Sequence, residues 1–171
     1  MIRVRRGAIA LAWGFCCVLA ASSAAAAAPN IARVPEDYAT IQQALDQGSA
    51  RVISVAAGEY AGAFVSRDVA IVCRSPGACA ITSGGSPFAD LSAGFVLDSG
   101  ASGAAIRGFE FAGLDLGVFA SCQSVGSVPS DVSISQNTFV DAAQAITLIG
   151  GCDDARIVKI ELRNRQVPTI K

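Results

Sequence analysis

The chain has 171 residues, of which 52% are hydrophobic and 16% are charged, and it contains no histidine. This length predicts one domain, and the near balance of 13 basic and 14 acidic residues gives no reason to expect nucleic-acid binding. The missing histidine excludes Ser-His-Asp and Cys-His catalysis, histidine-ligated metals and a histidine-based pH switch.

The first 28 residues have the organisation of a secretory signal peptide. Three arginines lie within residues 3–6, an apolar stretch covers 7–21, and small residues fill 22–28. A membrane anchor is the alternative, but the apolar stretch is shorter than the roughly 20 residues that span a bilayer. We therefore expect an exported chain, periplasmic or extracellular, with no membrane span after cleavage and with its folded domain in residues 29–171.

The cysteine count also indicates export. Two of the 6 cysteines lie in the signal segment, which leaves four in the mature chain. Four cysteines allow three disulfide connectivities. A turn-rich loop separates Cys73 from Cys79, so the favoured pairs are Cys73–Cys79 and Cys122–Cys152. A zinc site is the less favoured alternative, because no C-x-x-C spacing occurs.

One helix is predicted, near the mature N-terminus. Thr40 is followed by Gln43 in the spacing of a capping box. Apolar residues at helical spacing follow, and Gly48 ends the pattern. The sequence therefore predicts a short amphipathic helix over residues 40–47.

Beyond Gly48 the pattern changes to many short apolar runs, most of them bounded by turn residues. Such runs predict strands rather than βαβ units. The predicted strands are 52–55, 63–65, 69–72, 80–82, 95–97, 104–106, 109–111, 118–119, 132–134, 138–140, 146–149 and 157–162.

A loose internal repeat decides between a sandwich, a barrel and a solenoid. Three segments share a template of three inward-facing positions: Ile106, Phe109 and Phe111; Ile134, Asn137 and Phe139; and Ile157, Ile160 and Leu162. A unit of this size cannot bury its own apolar face, whereas stacked units bury a continuous core. The repeat therefore favours a parallel β solenoid, with chance similarity in an Ala/Val/Ile-rich chain as the alternative.

The opening of the mature chain resembles right-handed parallel β-helix proteins of the pectin-lyase-like superfamily. The resemblance rests on residues 34–45, VPEDYATIQQAL, followed by residues 52–60, VISVAAGEY. It implies an all-β, right-handed parallel β-helix of about five or six coils, closed at its N-terminal end by the short helix. It also implies a ladder of asparagines at the inner corners, where Asn137 fits, while Phe109 and Ile160 occupy that place in the neighbouring coils.

The C-terminal residues 163–171 cannot complete or cap a coil. We therefore expect either a truncated chain or a protein partner that covers this end by end-to-end contact.

A pectate-lyase-like lyase is one enzymatic alternative that the resemblance suggests. It would need acidic calcium ligands and an arginine base. Asp115 and Asp141 fall at similar but not identical places in successive coils, and Arg107 or Arg156 would share their face. The favoured alternative is that these are solvated turn residues.

A hydrolase acting on acidic glycans is the other enzymatic alternative. Asp153 and Asp154 are similar to paired polygalacturonase aspartates, but the surrounding motifs are missing, and a polar turn is the favoured interpretation. Methylesterase motifs are absent as well. No copper site is expected, because the mature chain lacks the histidine and methionine ligands that copper prefers.

The chain is therefore expected to be an exported, non-catalytic β-helix protein that interacts with a polysaccharide. Only Tyr38 and Tyr60 are available as sugar-stacking platforms, and most phenylalanines fall at core positions, so a glycan site is expected to be polar. No cofactor or metal is predicted, calcium being required only by the lyase alternative. A structural or adhesin-like surface module is the remaining alternative.

Overall fold

The computed structural model describes residues 31–88, 91–122, 129–150, 156–158 and 161–163. These residues form mostly β-strands, with one α-helix and one turn of 3-10 helix at Ser99–Ala101. In chain order the elements are β1 (Ile31–Val34), α1 (Ile41–Gln47), β2 (Val52–Val55), β3 (Gly58–Ala61), β4 (Ala63–Val65), β5 (Ala70–Cys73), β6 (Cys79–Ser83), β7 (Gly85–Phe88), β8 (Leu91–Leu97), β9 (Ala105–Arg107), β10 (Phe109–Ala112), β11 (Leu116–Cys122), β12 (Ser133–Ser135), β13 (Thr138–Val140), β14 (Gln144–Gly150), β15 (Arg156–Val158) and β16 (Glu161–Arg163).

The strands build three parallel sheets. Sheet A has the order β1-β2-β5-β9-β12-β15, sheet B has β3-β6-β10-β13-β16, and sheet C has β4-β8-β11-β14. Each successive coil from β2 onward supplies one strand to each sheet in turn, as in a parallel β solenoid. Strand β7 lies antiparallel to β8, off this path. Within the described part of the chain, no helix has the length and hydropathy of a membrane span.

The strand register confirms the repeat template. In sheet A, Ile106 pairs with Ile134, which in turn pairs with Ile157. In sheet B, Phe111 pairs with Phe139, and Phe139 pairs with Leu162. Equivalent positions of the repeat therefore lie directly above one another, so that one coil buries the apolar residues of the next.

The interior is a continuous apolar column that runs from β1 and α1 to the coil of β12, β13 and β14. Its sheet A wall stacks Ala32, Ile53, Ile71, Ile106 and Ile134, all buried. A cluster of four phenylalanine rings fills the centre, with Phe111 stacked on Phe139 at 4.8 Å between ring centroids. The other two rings, Phe95 and Phe109, meet each other edge-on at 5.6 Å.

The predicted helix is confirmed as α1. Thr40 is its N-cap, and the hydroxyl oxygen of Thr40 accepts a hydrogen bond from the backbone N–H of Gln43 at 3.1 Å. Gly48 is the C-cap. The apolar stripe, Ile41, Ala44 and Leu45, is buried against the first coil. Hydrophobic burial of this stripe therefore fixes a helix that would be too short to be stable alone.

Two side chains fasten α1 to the solenoid. Arg67 donates to the backbone carbonyls of Ala44 and Leu45 near the end of α1, and to that of Ala50 beyond it. The Leu45 carbonyl is one of the acceptors that a helix end leaves without an intrahelical partner. Gln42 accepts from the backbone N–H of Phe64 at 2.8 Å. Because β4 ends sheet C, Gln42 occupies the place of a neighbouring strand and blocks a free sheet edge.

The corner between sheets A and B carries the predicted Cys73–Cys79 disulfide, with the two Cα atoms 5.9 Å apart. Five residues, 74–78, form the loop that it closes. Arg74 in this loop makes a bidentate ion pair with Glu36, and the hydrogen bonds from its guanidinium lower the pKa of the Glu36 carboxyl to about 2. The loop is thereby fixed against the segment that follows β1. The other predicted pair, Cys122–Cys152, involves a residue outside the described ranges.

Asn137 lies at the inner corner expected for a ladder residue, with 1% of its surface exposed. Its Oδ1 accepts from the backbone N–H of Phe109 at 2.9 Å, and its Nδ2 donates to the carbonyl of Ile106 at 3.0 Å. One amide therefore satisfies two buried backbone groups of the preceding coil, where the chain turns from β9 into β10.

Several strand bounds differ from the sequence expectations. Strands β1, β3 and β7 were not predicted, and β8, β11 and β14 each have seven residues rather than two to four. The run 157–162 divides into β15 and β16, which belong to different sheets. Short polar runs such as Gly58–Ala61 carry no strand signal of their own and become strands because the neighbouring coil pairs with them.

Candidate functional site

Sheet C carries a break in its side-chain alternation at the same level in three coils. A Cβ on Gly94 would meet the ring of Phe111, and a Cβ on Gly117 would meet the ring of Phe139. Both glycines therefore face the interior, although the next residues, Phe95 and Val118, face it too. Two successive inward positions replace the usual in-and-out pattern of a strand.

The break turns residues three apart in the sequence to the same outer face. The outward pairs are Ala93 with Val96, Leu116 with Phe119, and Gln144 with Thr147. The Thr147 hydroxyl donates to Gln144 Oε1 at 2.6 Å, which confirms that this pair shares a face. The three pairs lie in register, so the outer surface of sheet C has an ordered patch from β8 to β14.

The first two pairs form an apolar cluster of their own, separate from the interior column. Ala93, Val96, Leu116 and Phe119 are all buried, and Ile149 packs against them. An outer face this apolar is unusual on a sheet side that turns away from the core.

A cavity of about 240 Å³ opens on this patch. Leu91, Leu116, Phe119 and Ile149 supply its apolar surface. Its polar lining comes from Asp115, Gln144 and Thr147, with Ala143 completing the wall. An apolar floor with a few hydrogen-bonding groups at its edge is the usual composition of a small-ligand site.

Asp115 is fixed by a reciprocal contact with Ser92 of the preceding coil. Its Oδ2 accepts from the backbone N–H of Ser92 at 2.9 Å and from the Ser92 hydroxyl at 2.8 Å. Its own N–H donates to Ser92 Oγ at 3.1 Å. The backbone N–H and then the hydroxyl of Ser92 lower the pKa of the Asp115 carboxyl, so the cavity holds an ionised carboxylate at neutral pH.

Replacing Ser92 with alanine is expected to raise the pKa of Asp115 toward its ordinary value, because the hydroxyl is lost while the backbone N–H remains. A carboxyl whose pKa is depressed by folding stabilises the protein above the ordinary aspartate pKa of about 3.9 and loses that contribution as the pH falls below it. The variant should thus be less stable at neutral pH, with a difference that narrows in acid. Melting temperatures measured across pH, with the exposed Ser49→Ala as control, check this; a difference that does not depend on pH contradicts it.

Two other residues that the sequence suggested for the site, Asp141 and Arg107, do not lie at the level of Asp115 in the solenoid. In the strand register Asp141 aligns with Gly113 of the preceding coil, whereas Asp115 lies two residues after Gly113. Both Asp141 and Gly113 have a positive φ, which is 52° at Asp141. Arg107 is the last residue of β9 in sheet A, and its Nε donates to Gln136 Oε1 at 2.5 Å. The strand β10, about 13 Å long at the usual rise of a strand, lies between Arg107 and Asp115.

The remaining candidates are Arg156, Asp153 and Asp154. Arg156 begins β15 in sheet A, in register with Ser133, whereas Asp115 precedes β11 of sheet C. Asp153 and Asp154 lie outside the described residues. Across the ranges that the structure describes, no group of three or more acidic or cysteine side chains is arranged to hold a metal ion.

The cavity residues Phe119, Gln144 and Thr147 were missed by sequence reasoning, which placed most phenylalanines in the core. That expectation is correct for Phe95, Phe109, Phe111 and Phe139, all of which are buried in the interior. The small residues Gly94, Gly117 and Ala145 precede the inward residues of three neighbouring strands of sheet C, but their role depends on rings in the next coil, so they are a signal only once the coils are aligned. Tyr38 and Tyr60, the two tyrosines available as sugar platforms, both pack partly against the core.

Comparison of the chain with protein-family models, with curated proteins and with solved structures finds no match. No family is therefore assigned by similarity.

Proposed function

We propose that this protein is an exported, right-handed parallel β-helix that binds a polysaccharide on the outer face of sheet C without cleaving it. Right-handed connections are the rule between parallel strands of one sheet. The N-terminal segment with its signal-peptide pattern and the Cys73–Cys79 disulfide support export to an oxidising compartment.

The observation that carries the binding proposal is the cavity formed by the outer face of β11 and β14. Sugar rings present an apolar C–H face and a rim of hydroxyls. Leu116, Phe119 and Ile149 supply the apolar surface, while Gln144 and Thr147 offer an amide and a hydroxyl at its edge. A stack of parallel strands is also a rigid base, which lowers the ordering cost of binding.

The non-catalytic proposal rests on the spacing of the ionisable groups. A lyase needs its base and its acidic groups on one face, but Arg107 ends β9 of sheet A whereas Asp115 lies beyond β10, just before β11 of sheet C. In addition, Asp115 Oδ2 accepts hydrogen bonds from the N–H and the hydroxyl of Ser92, which is not an acidic group.

Glycan binding is tested with the full-length chain in its oxidised form on an array of neutral, amino and acidic glycans. We expect at least one class to bind, and we expect Gln144→Ala to weaken that binding by about twofold to tenfold, the usual effect of one neutral hydrogen bond. Gln47→Ala, which removes an exposed amide from the end of α1, is the matched control. An empty array contradicts the proposal, and release of unsaturated or shortened products supports the lyase or hydrolase alternatives instead.

A further inference from the structure

We propose that the cavity on the outer face of sheet C selects a positively charged amino sugar unit, with Asp115 pairing with the protonated amine. This inference rests on the glycan-binding function proposed above and names the class of glycan.

The charges of the cavity favour a cation. Asp115 is the one charged side chain among the described residues that line it, and the rest of the lining is apolar, amide or hydroxyl. No described arginine or lysine lines the cavity to balance a uronate carboxylate. An acidic glycan would therefore meet repulsion from Asp115, whereas a protonated amine would be attracted.

The hydrogen bonds of Asp115 leave one oxygen for a ligand. Both bonds from Ser92 end on Oδ2. Within the described part of the chain, none of the hydrogen bonds of Asp115 reaches Oδ1. The carboxylate is thus held in one orientation by Ser92 while its second oxygen can accept from an ammonium group, a charge-assisted bond of the stronger kind.

The size and lining of the cavity favour a sugar ring over an isolated amine. A volume of about 240 Å³ holds one pyranose with its substituents but not an extended chain segment. The side chains of Leu116 and Phe119 lie next to Asp115 and would cover the apolar face of a ring whose amine reaches Oδ1.

The test compares three tetrasaccharides by titration calorimetry: β-1,4-linked glucosamine, the same oligomer fully N-acetylated, and a galacturonate tetramer. We expect glucosamine to bind the wild-type protein at least tenfold more tightly than its N-acetylated form, and galacturonate more weakly than both. A lysine tetramer, which has the charge without the ring, should bind more weakly than the glucosamine tetramer; equal or tighter binding overturns the inference.

Asp115→Asn is the informative variant, because the asparagine oxygen can keep the Ser92 hydrogen bonds while an NH₂ group replaces Oδ1. We expect it to weaken glucosamine binding by roughly tenfold to a hundredfold, to the level of the N-acetylated oligomer. Asp68→Asn, which removes an exposed carboxylate between β4 and β5, is the matched control and should leave binding unchanged.

Wild-type binding measured across pH is independent of whether the variant folds. Affinity for glucosamine should fall as the pH rises through the pKa of the sugar amine, and affinity for the N-acetylated oligomer should not. If neutral or acidic glycans bind as tightly as glucosamine, the inference is overturned while the binding function stands. If no glycan binds at all, the proposed function itself fails.

Discussion

Phe111→Ala is expected to lower the free energy of unfolding by about 3–5 kcal/mol, the usual cost of removing a buried phenylalanine. The Phe111 ring is fully buried and stacks on Phe139, and it meets Phe95 edge-on at 5.8 Å between centroids. Its loss would leave a void between coils, because rigid sheets on three sides cannot close around it. Chemical denaturation followed by circular dichroism measures the change.

The matched control is Phe64→Ala, since Phe64 has 47% of its surface exposed. The backbone N–H of Phe64 keeps its hydrogen bond to Gln42 in this variant, so a change well below that of Phe111→Ala is expected. Equal losses of stability for the two variants would show that the aromatic cluster is not the centre of the core.

Asn137→Ala should cost about 1–3 kcal/mol, because it leaves the N–H of Phe109 buried without its partner and removes the side-chain hydrogen bond to the carbonyl of Ile106. Asn137→Asp gives a second measurement. Its carboxylate oxygen would face the Ile106 carbonyl, and a buried charge there is costly, so this variant should lose stability as the pH rises. Thermal melts at acid and neutral pH check both changes.

Gln136→Asn is the control for Asn137. Gln136 is adjacent and also carries an amide, but this amide is exposed, where it bonds only to Arg107 among the described residues. Asparagine tolerates the positive φ of 56° at this position, so a change within about 0.5 kcal/mol is expected. A small effect from Asn137→Ala would mean that water or a backbone shift replaces the amide, and that the corner does not depend on it.

The helix and the stacking of equivalent positions could be predicted because both rest on local patterns. Thr40 caps the start of α1 with its hydroxyl, and the backbone N–H of Gly48 closes its last turn. The template at Ile106, Ile134 and Ile157 repeats because residues at one level of a solenoid share one environment. Local signals of this kind remain visible in a single sequence.

The outer face of sheet C could not be derived in the same way. Alternation predicts that Leu116 and Val118 share a face, but the space beside the Phe139 ring admits only a residue without a side chain at position 117. The two-residue inward step therefore depends on a ring that lies one coil away. Without that contact, the grouping of Phe119 with Leu116, and hence the cavity, cannot be read from the strand alone.

The Cys73–Cys79 bond has a consequence for the path of the chain. Strand register places Cys73 opposite Gly108 and Cys79 opposite Phe109, two residues joined by a peptide bond in the next coil. The disulfide thus links Cys73 to Cys79 where, in the next coil, a peptide bond links Gly108 to Phe109. The five residues between the cysteines form a loop that projects from the coil, a detour from the path of the chain. Such a bypassed detour can change in length or sequence without altering the rise from one coil to the next, which makes residues 74–78 the natural place for this solenoid to accept a new segment.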